Sequence, residues 1–221
     1  MPTRPAGNPW LSIWTRPRRT LAEIVNTNPS FRFFFFCFIY GFVALLQGAQ
    51  QSSLGLQYSA GLILLIAAIV GFFIGYISLS VSSLLLLWTG KWIKGKGNYK
   101  QVRAAVAWSN APVAVELVIW LALTAVFGSL LFTEDFARIR YAQSPEGSVL
   151  VVPQLGLLIG LGIIRFILSI WSIVILIGGL SQVQGFLILR GIANVLLAIA
   201  IVIAAVIIAY FLIGWAQGFK G

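Results

Sequence analysis

The chain of 221 residues contains no histidine and a single cysteine, Cys37. Without imidazole, the commonest catalytic base and a principal transition-metal ligand are missing. With one thiol no intrachain disulfide can form, and a zinc site lacks its usual nitrogen and sulfur donors. Charge is scarce too: Asp, Glu, Lys and Arg make up 9% of the residues, against about 25% in soluble domains. Only five residues are acidic, which leaves little from which to build a pair of carboxylates for acid–base work. Glu134 and Asp135 are adjacent and do not project together from a helix, Glu146 follows Pro145 in a polar loop, and only Glu116 lies in an apolar run. These absences point away from an enzyme, and the sequence suggests neither a cofactor nor a metal.

What abounds is apolar surface: 60% of residues are hydrophobic and the mean hydropathy is +0.98, the composition of an integral membrane protein. About 20 apolar helical residues cross the hydrocarbon core. Five stretches qualify, at about 31–50, 60–88, 111–132, 153–179 and 192–214. The predicted fold is therefore all-α, a polytopic bundle of five transmembrane helices with short cytoplasmic interfacial helices. Its organisation is a cytoplasmic amino-terminal segment over 1–30 followed by a five-helix transmembrane domain over 31–215. The first thirty residues are broken by prolines and have no apolar core before Phe31, so they read as retained rather than as a signal peptide. Cys37, inside FFFFCFIY, reads as a packed or lipid-facing small residue.

The net charge of +10 carries information through its distribution. Five spans alternate sides. Segments on the amino-terminal side hold Arg4, Arg16, Arg18, Arg19 and Arg32, then Lys91, Lys94, Lys96, Lys100 and Arg103, then Arg190, eleven cations in all. The opposite side receives three, Arg138, Arg140 and Lys220. Because short cytoplasmic loops accumulate Lys and Arg, the amino terminus is expected in the cytoplasm and the carboxyl terminus outside.

Two of the basic segments have helical patterning. In NPWLSIWTRPRRTLAEIVNTNP, residues 8–29, Trp10, Ile13, Trp14, Leu21, Ile24 and Val25 fall near one face, with Arg16, Arg18 and Arg19 elsewhere and Pro17 expected to break or bend the helix. Two readings are open: an amphipathic helix lying in the headgroup layer, or a packing lid over the end of the bundle. In GKWIKGKGNYKQVRAAVAWSNAP, residues 90–112, Gly90, Gly95 and Lys96 fit G-x-x-x-x-G-K, but Gly97 stands where a phosphate-binding loop needs Ser or Thr. The stretch also follows a membrane helix rather than a strand, so nucleotide binding is not expected. Asn98 and Gln101 resemble a capping box, which predicts a short helix over Tyr99–Ser109. Such a helix fits the headgroup layer, with Arg16, Arg18, Arg19, Lys91, Lys94, Lys96, Lys100 and Arg103 as contacts to anionic lipid. Stacking platforms and an extended basic groove are absent, so nucleic acid is not an expected partner.

Together these two motifs, NPWLSIWTRPRRTLAEIVNTNP and GKGNYKQVRAAVAWSNAP, resemble the Yip domain family of multi-pass membrane proteins, known in eukaryotes as Ypt/Rab-interacting proteins. The likeness covers the chain from about Asn8 to Trp215. It implies five membrane helices, a cytoplasmic amino terminus, and a role in membrane organisation, shaping or trafficking-type scaffolding through lipid and protein contacts. Eukaryotic relatives are associated with small Rab-type GTPases and usually carry a long cytoplasmic amino-terminal region. With some thirty residues there, this chain is more similar to the bacterial branch, which implies the bacterial cytoplasmic membrane. Homo-oligomers or other membrane proteins are further implied partners.

Inside the membrane two ionisable residues stand out, Glu116 and Arg165, since a charge near the bilayer centre costs roughly 2.5 to 3.5 kcal/mol on insertion scales. Counted from the loop ends, their depths differ by about one turn. They are expected to form a pair that fixes helix register, with a polar site for an ion, proton or small solute as the alternative, and separate snorkelling as a third possibility. Tyr76, Ser80, Ser83, Ser169 and Ser172 are candidates either for a polar path in such a permease or for interhelical hydrogen bonds. Gly71-x-x-x-Gly75 and Gly156-x-x-x-Gly160 are small-residue faces suited to close helix approach.

Overall fold

In a computed structural model of the chain, residues 8–133 and 148–218 are described, and among them every regular element is a helix. Arg4, Glu134, Asp135, Arg138, Arg140, Glu146 and Lys220 lie outside the described residues. The chain begins with α1 (Pro9–Thr15) and α2 (Pro17–Thr27). Both start on a proline, whose fixed φ and missing N–H suit the first helical position. Pro17 thus divides the predicted amphipathic segment into two helices. Then follow α3 (Phe33–Gln51), α4 (Ala60–Trp92), α5 (Tyr99–Ser109) and α6 (Val113–Phe127), the last continued by a 3₁₀ turn over Gly128–Phe132. The long helices α7 (Ser148–Gln184) and α8 (Ile188–Gly218) complete the chain. Five helices are long and apolar enough to cross a membrane: α3, α4, α6 with its 3₁₀ turn, α7 and α8.

α3 and α4 form the most extensive helix pair. Lipid tails are as apolar as leucine, so two membrane helices associate by packing, and small residues permit it. Gly41 of α3 lies against Gly71 and Gly75 of α4, and Gly75 lies against the Cys37 carbonyl. A Cβ on Gly41 would stand 2.6 Å from the Gly71 carbonyl carbon and 2.7 Å from the Gly75 nitrogen. The first small-residue face is therefore a backbone-to-backbone seam. Gly160, from the second, borders open space.

α5 has the predicted bounds and the predicted capping box: Gln101 N donates to Asn98 Oδ1 at 3.0 Å, and Asn98 N to Gln101 Oε1 at 3.0 Å. It lies deeper than a surface helix, because every residue from Ala104 to Ser109 is buried. α5 packs against α3, α4 and α7, while α2 covers it and also touches α7. Ile13, Leu21, Ile24, Phe33, Phe36, Val102, Trp108, Ile175 and Leu180 form one core at this capped end of the bundle. A second core, with Phe42, Leu46, Ile63, Trp120 and Phe132, lies nearer the α3–α4 connection.

α8 is packed differently. Asn194 and Ala198 are buried near its start, but from Ile199 to Ile213 every residue except the half-buried Ile201 is exposed. In a membrane that surface meets lipid.

Candidate functional site

Polar groups gather at two levels, and the deeper one contains Glu116 and Arg165. Glu116 is buried in the first turn of α6, where its Oε2 accepts a hydrogen bond from Gln47 Nε2 of α3 at 3.2 Å. Gln47 is four residues from the end of α3. The acid thus lies well inside the bundle, because the stretch that leads into α6, Ala104–Ser109 of α5 and the Ala111–Pro112 turn, is itself buried. Arg165 approaches from α7 with Cζ 4.7 Å from the centroid of the Trp120 ring, a cation–π contact. Trp120 stacks on Phe132 at 5.9 Å with 7° between the planes. The two charges remain within electrostatic reach of each other. They do not form an ion pair, for the one ion pair among the described residues joins Arg19 to Glu23. The partners sequence reasoning missed are neutral: Gln47 for the acid and the Trp120 ring for the cation.

The five hydroxyl residues do not gather round this pair. Tyr76 is exposed and stacks on Phe34, with Phe33 edge-on. Ser83 is buried and donates to the Leu79 carbonyl of its own helix. Ser80 Oγ is buried without a partner. Ser169 is exposed and Ser172 half-buried on α7. Two apolar recesses, one of about 600 Å³ beside Val81, Leu84, Leu85, Trp88 and Lys91 and one of about 320 Å³ among Leu45, Leu54, Tyr58 and Ile63, are lined by none of these groups.

The second level is the capped end. Arg16, Arg18, Arg19, Lys91, Lys94, Lys96 and Lys100 are exposed there. Beneath them Trp10 and Trp108 face the protein, while Trp88 and Trp92 at the end of α4 are exposed: Trp10 packs on Phe35, Phe36 and Trp108, with ring centroids 5.4 to 5.6 Å apart. The buried Trp108 donates its Nε1–H to the Phe31 carbonyl at 3.3 Å. Arg103 is half-buried, with Nη2 donating to Ser30 Oγ at 3.0 Å and Cζ 4.3 Å from the Phe33 centroid. Of the two readings of the amino-terminal segment, its apolar side behaves as a lid and its basic side as an exposed face.

Where α4, α7 and α8 meet, a fully buried polar knot ties the capped end together. Gln184 Nε2 and Asn194 Nδ2 both donate to the Leu86 carbonyl, at 3.1 and 3.2 Å, and Thr89 Oγ1 donates to Asn194 Oδ1 at 2.6 Å. Lys96 N donates to the Gln184 carbonyl at 3.1 Å. The Gln184 side chain lies directly on Gly90 and Gly95, leaving no room for a Cβ on either. The glycines that imitate a phosphate-binding loop therefore cradle an amide of the same protein. α4 ends in the same region with bonds from Gly95 N to Gly90 O and from Lys94 N to Lys91 O, and Lys94 takes a left-handed φ of 66°. Asn194 was legible as a lone amide in an apolar run, whereas Gln184 shares its stretch with Gln182, and nothing in the sequence paired the two.

Among the described residues no three His, Cys, Asp or Glu side chains come together as a metal site would require. The arrangement is one of interhelical locks and an exposed cationic face. No curated protein and no solved structure matches the chain. A family model does, that of the Yip1 domain, and it covers residues 11–216. With five membrane-crossing helices, the two quoted motifs folded over one end, and a family match running nearly from end to end, the chain belongs to the Yip1 domain family.

Proposed function

We propose that the protein is a non-enzymatic membrane-organising scaffold whose capped end lies on the cytoplasmic side of a bacterial inner membrane and gathers anionic lipid. The observation that supports this most is the capped end itself. Seven exposed Arg and Lys side chains stand on α2 and the turn before it, at the end of α4, in the α4–α5 connection and on α5, and Trp10 and Trp108 beneath pack that face onto the bundle. Among the described residues Glu23 is the one acid on this end, and Arg19 already engages it at 3.4 Å. A rigid cationic face next to a bilayer attracts anionic headgroups by about 1 kcal/mol per cation near the surface. Its partners are lipids first, with a second copy or another membrane protein able to seat on the lipid-facing sides of α7 and α8. A GTPase partner is not part of the proposal.

The test uses the full chain in vesicles containing a trace of fluorescent anionic lipid, with energy transfer from the protein's tryptophans reporting enrichment around it. Replacing Arg16, Arg18, Lys94, Lys96 and Lys100 together by Gln should abolish the enrichment, and moderate salt should weaken it in the unmodified protein. Equal enrichment in both proteins would overturn the proposal.

A further inference from the structure

We propose that the recess along the end of α4 is a discrete site for one anionic phospholipid, with its phosphate on Lys91 and an acyl chain lying over Leu84, Leu85 and Leu87. The inference rests on the capped end facing the cytoplasmic headgroup layer, and it turns a general attraction for anionic lipid into one defined seat.

α4 has 33 residues, a length of about 50 Å against a hydrocarbon core of about 30 Å, so its last turns reach the headgroup layer. Trp88 and Trp92 mark that level, since tryptophan collects where hydrocarbon meets the wet boundary. Both are about half exposed, and their rings meet edge to face at 4.6 Å.

From Lys91 the recess runs along α4 past Trp88, Leu87, Leu85 and Leu84 to Val81. Ten residues of helix are about 15 Å, one leaflet's share of the core. Its volume of about 600 Å³ falls within the range of small-molecule sites, roughly 300 to 1,000 Å³. Leu85 and Leu87 are half-buried and form the floor, while Val81, Leu84 and Trp88 are exposed and form the sides. The helix is fixed from behind. The Leu86 carbonyl accepts from Gln184 and Asn194, and Thr89 donates to Asn194. A groove already held in shape has little freedom left to lose when a chain lies in it.

Charge selects the headgroup. Lys91 is the one charged residue on the recess among the described residues. Its Nζ donates to the Gly95 carbonyl at 3.2 Å, which tethers the ammonium at the upper end and leaves two of its three N–H donors. It forms no ion pair with any described residue. A zwitterionic phospholipid would bring its own ammonium beside that of Lys91, and a second copy seated symmetrically on this face would bring two Lys91 side chains together. A phospholipid of net negative charge suits both ends of the recess, with phosphate at the ammonium and hydrocarbon against the leucines.

For the experiment the full chain is taken from nanodiscs of equal phosphatidylglycerol and phosphatidylethanolamine into mild detergent, and the lipids it retains are counted by native mass spectrometry. The unmodified protein should retain one phosphatidylglycerol in preference to phosphatidylethanolamine. Lys91→Gln should lower that retention about tenfold, the effect of losing one charge-assisted hydrogen bond, and Lys91→Arg should keep it. Leu84→Trp, which fills the recess and leaves the charge, should lower it as well, whereas Leu65→Trp, on exposed α4 surface outside the recess, should not. Equal retention of the two lipids by the unmodified protein overturns the proposal, as does unchanged retention in Lys91→Gln or in Leu84→Trp. The seat and the broader cationic face fail separately. Replacing Arg16, Arg18, Lys94, Lys96 and Lys100 by Gln spares Lys91 and should leave the retained lipid in place, and Leu84→Trp should leave the enrichment of anionic lipid around the protein intact.

Discussion

Replacing Gly41 by alanine should destabilise the bundle even though alanine is the better helix former. The new Cβ would stand 2.6 Å from the Gly71 carbonyl carbon and 2.7 Å from the Gly75 nitrogen, and closer still to the Gly71 oxygen. Carbon contacts settle at about 3.5 to 4.0 Å, so α3 and α4 must part by about 1 Å at the seam. Such a gap forfeits a quarter to a half of each dispersion contact it opens, and the contacts between Phe42, Val43 and Leu46 on α3 and Ile63 and Ala67 on α4 lie along the same line. Neither backbone can move aside as a side-chain tip would, which puts the cost near the upper end of overpacking, about 3 kcal/mol. The helix-propensity gain of alanine over glycine returns about 1 kcal/mol, leaving a net loss of about 2 kcal/mol. Gly48 provides the internal control, since it belongs to the same helix and its Cβ would meet nothing within 4 Å. Gly48→Ala should therefore be neutral or stabilise by up to about 1 kcal/mol. Thermal or denaturant unfolding of both variants in one detergent compares them directly. Equal shifts for Gly41→Ala and Gly48→Ala would refute the seam as the determinant of α3–α4 packing.

Two further outcomes concern the capped end. Gly90→Ala should cost about 2 kcal/mol by overpacking against Gln184, and Gln184→Ala a similar amount by losing the bond to Leu86 O and leaving a void. In the double variant the losses should fall short of their sum by at least about 1 kcal/mol, because the new methyl enters the vacated space; additive losses in a double-mutant cycle would separate the two residues. Lys94→Gly should raise stability by about 1 kcal/mol, since a left-handed φ strains lysine and suits glycine, and an unchanged or lower melting temperature would contradict that.

The five spans were legible because an apolar run long enough for hydrocarbon has few other uses, although the fourth span, counted as 153–179, runs over Ile159–Gln184 and so shifts by five or six residues. α5 was legible for a local reason, its Asn98–Gln101 box. The partner of Glu116 was not. Counting depth from the loop ends assumes that a span begins at the membrane surface, whereas the stretch that leads into α6 is itself buried and so brings Glu116 to Gln47. The small-residue faces show a similar limit. Glycine spacing states that a close approach is allowed, and only the arrangement of helices decides that Gly71 and Gly75 receive Gly41 while Gly160 faces open space. The near phosphate loop misled because glycines that admit an anion and glycines that admit the Gln184 amide are the same residues to the sequence.

The uneven packing of α3 and α8 divides the molecule's response to its solvent. α3 is pinned along its length by the glycine seam and cannot change its angle to α4 without breaking contacts. α8 is fastened near its start through Asn194, and beyond Ala198 it is almost wholly exposed. When the bilayer thickens or thins, α8 can tilt about that fastening at little cost in protein contacts, while the α3–α4 half can only deform the lipid around it. One side of the bundle is therefore a rigid wedge and the other a compliant hinge, and mechanical stress in the membrane acts on the two sides differently.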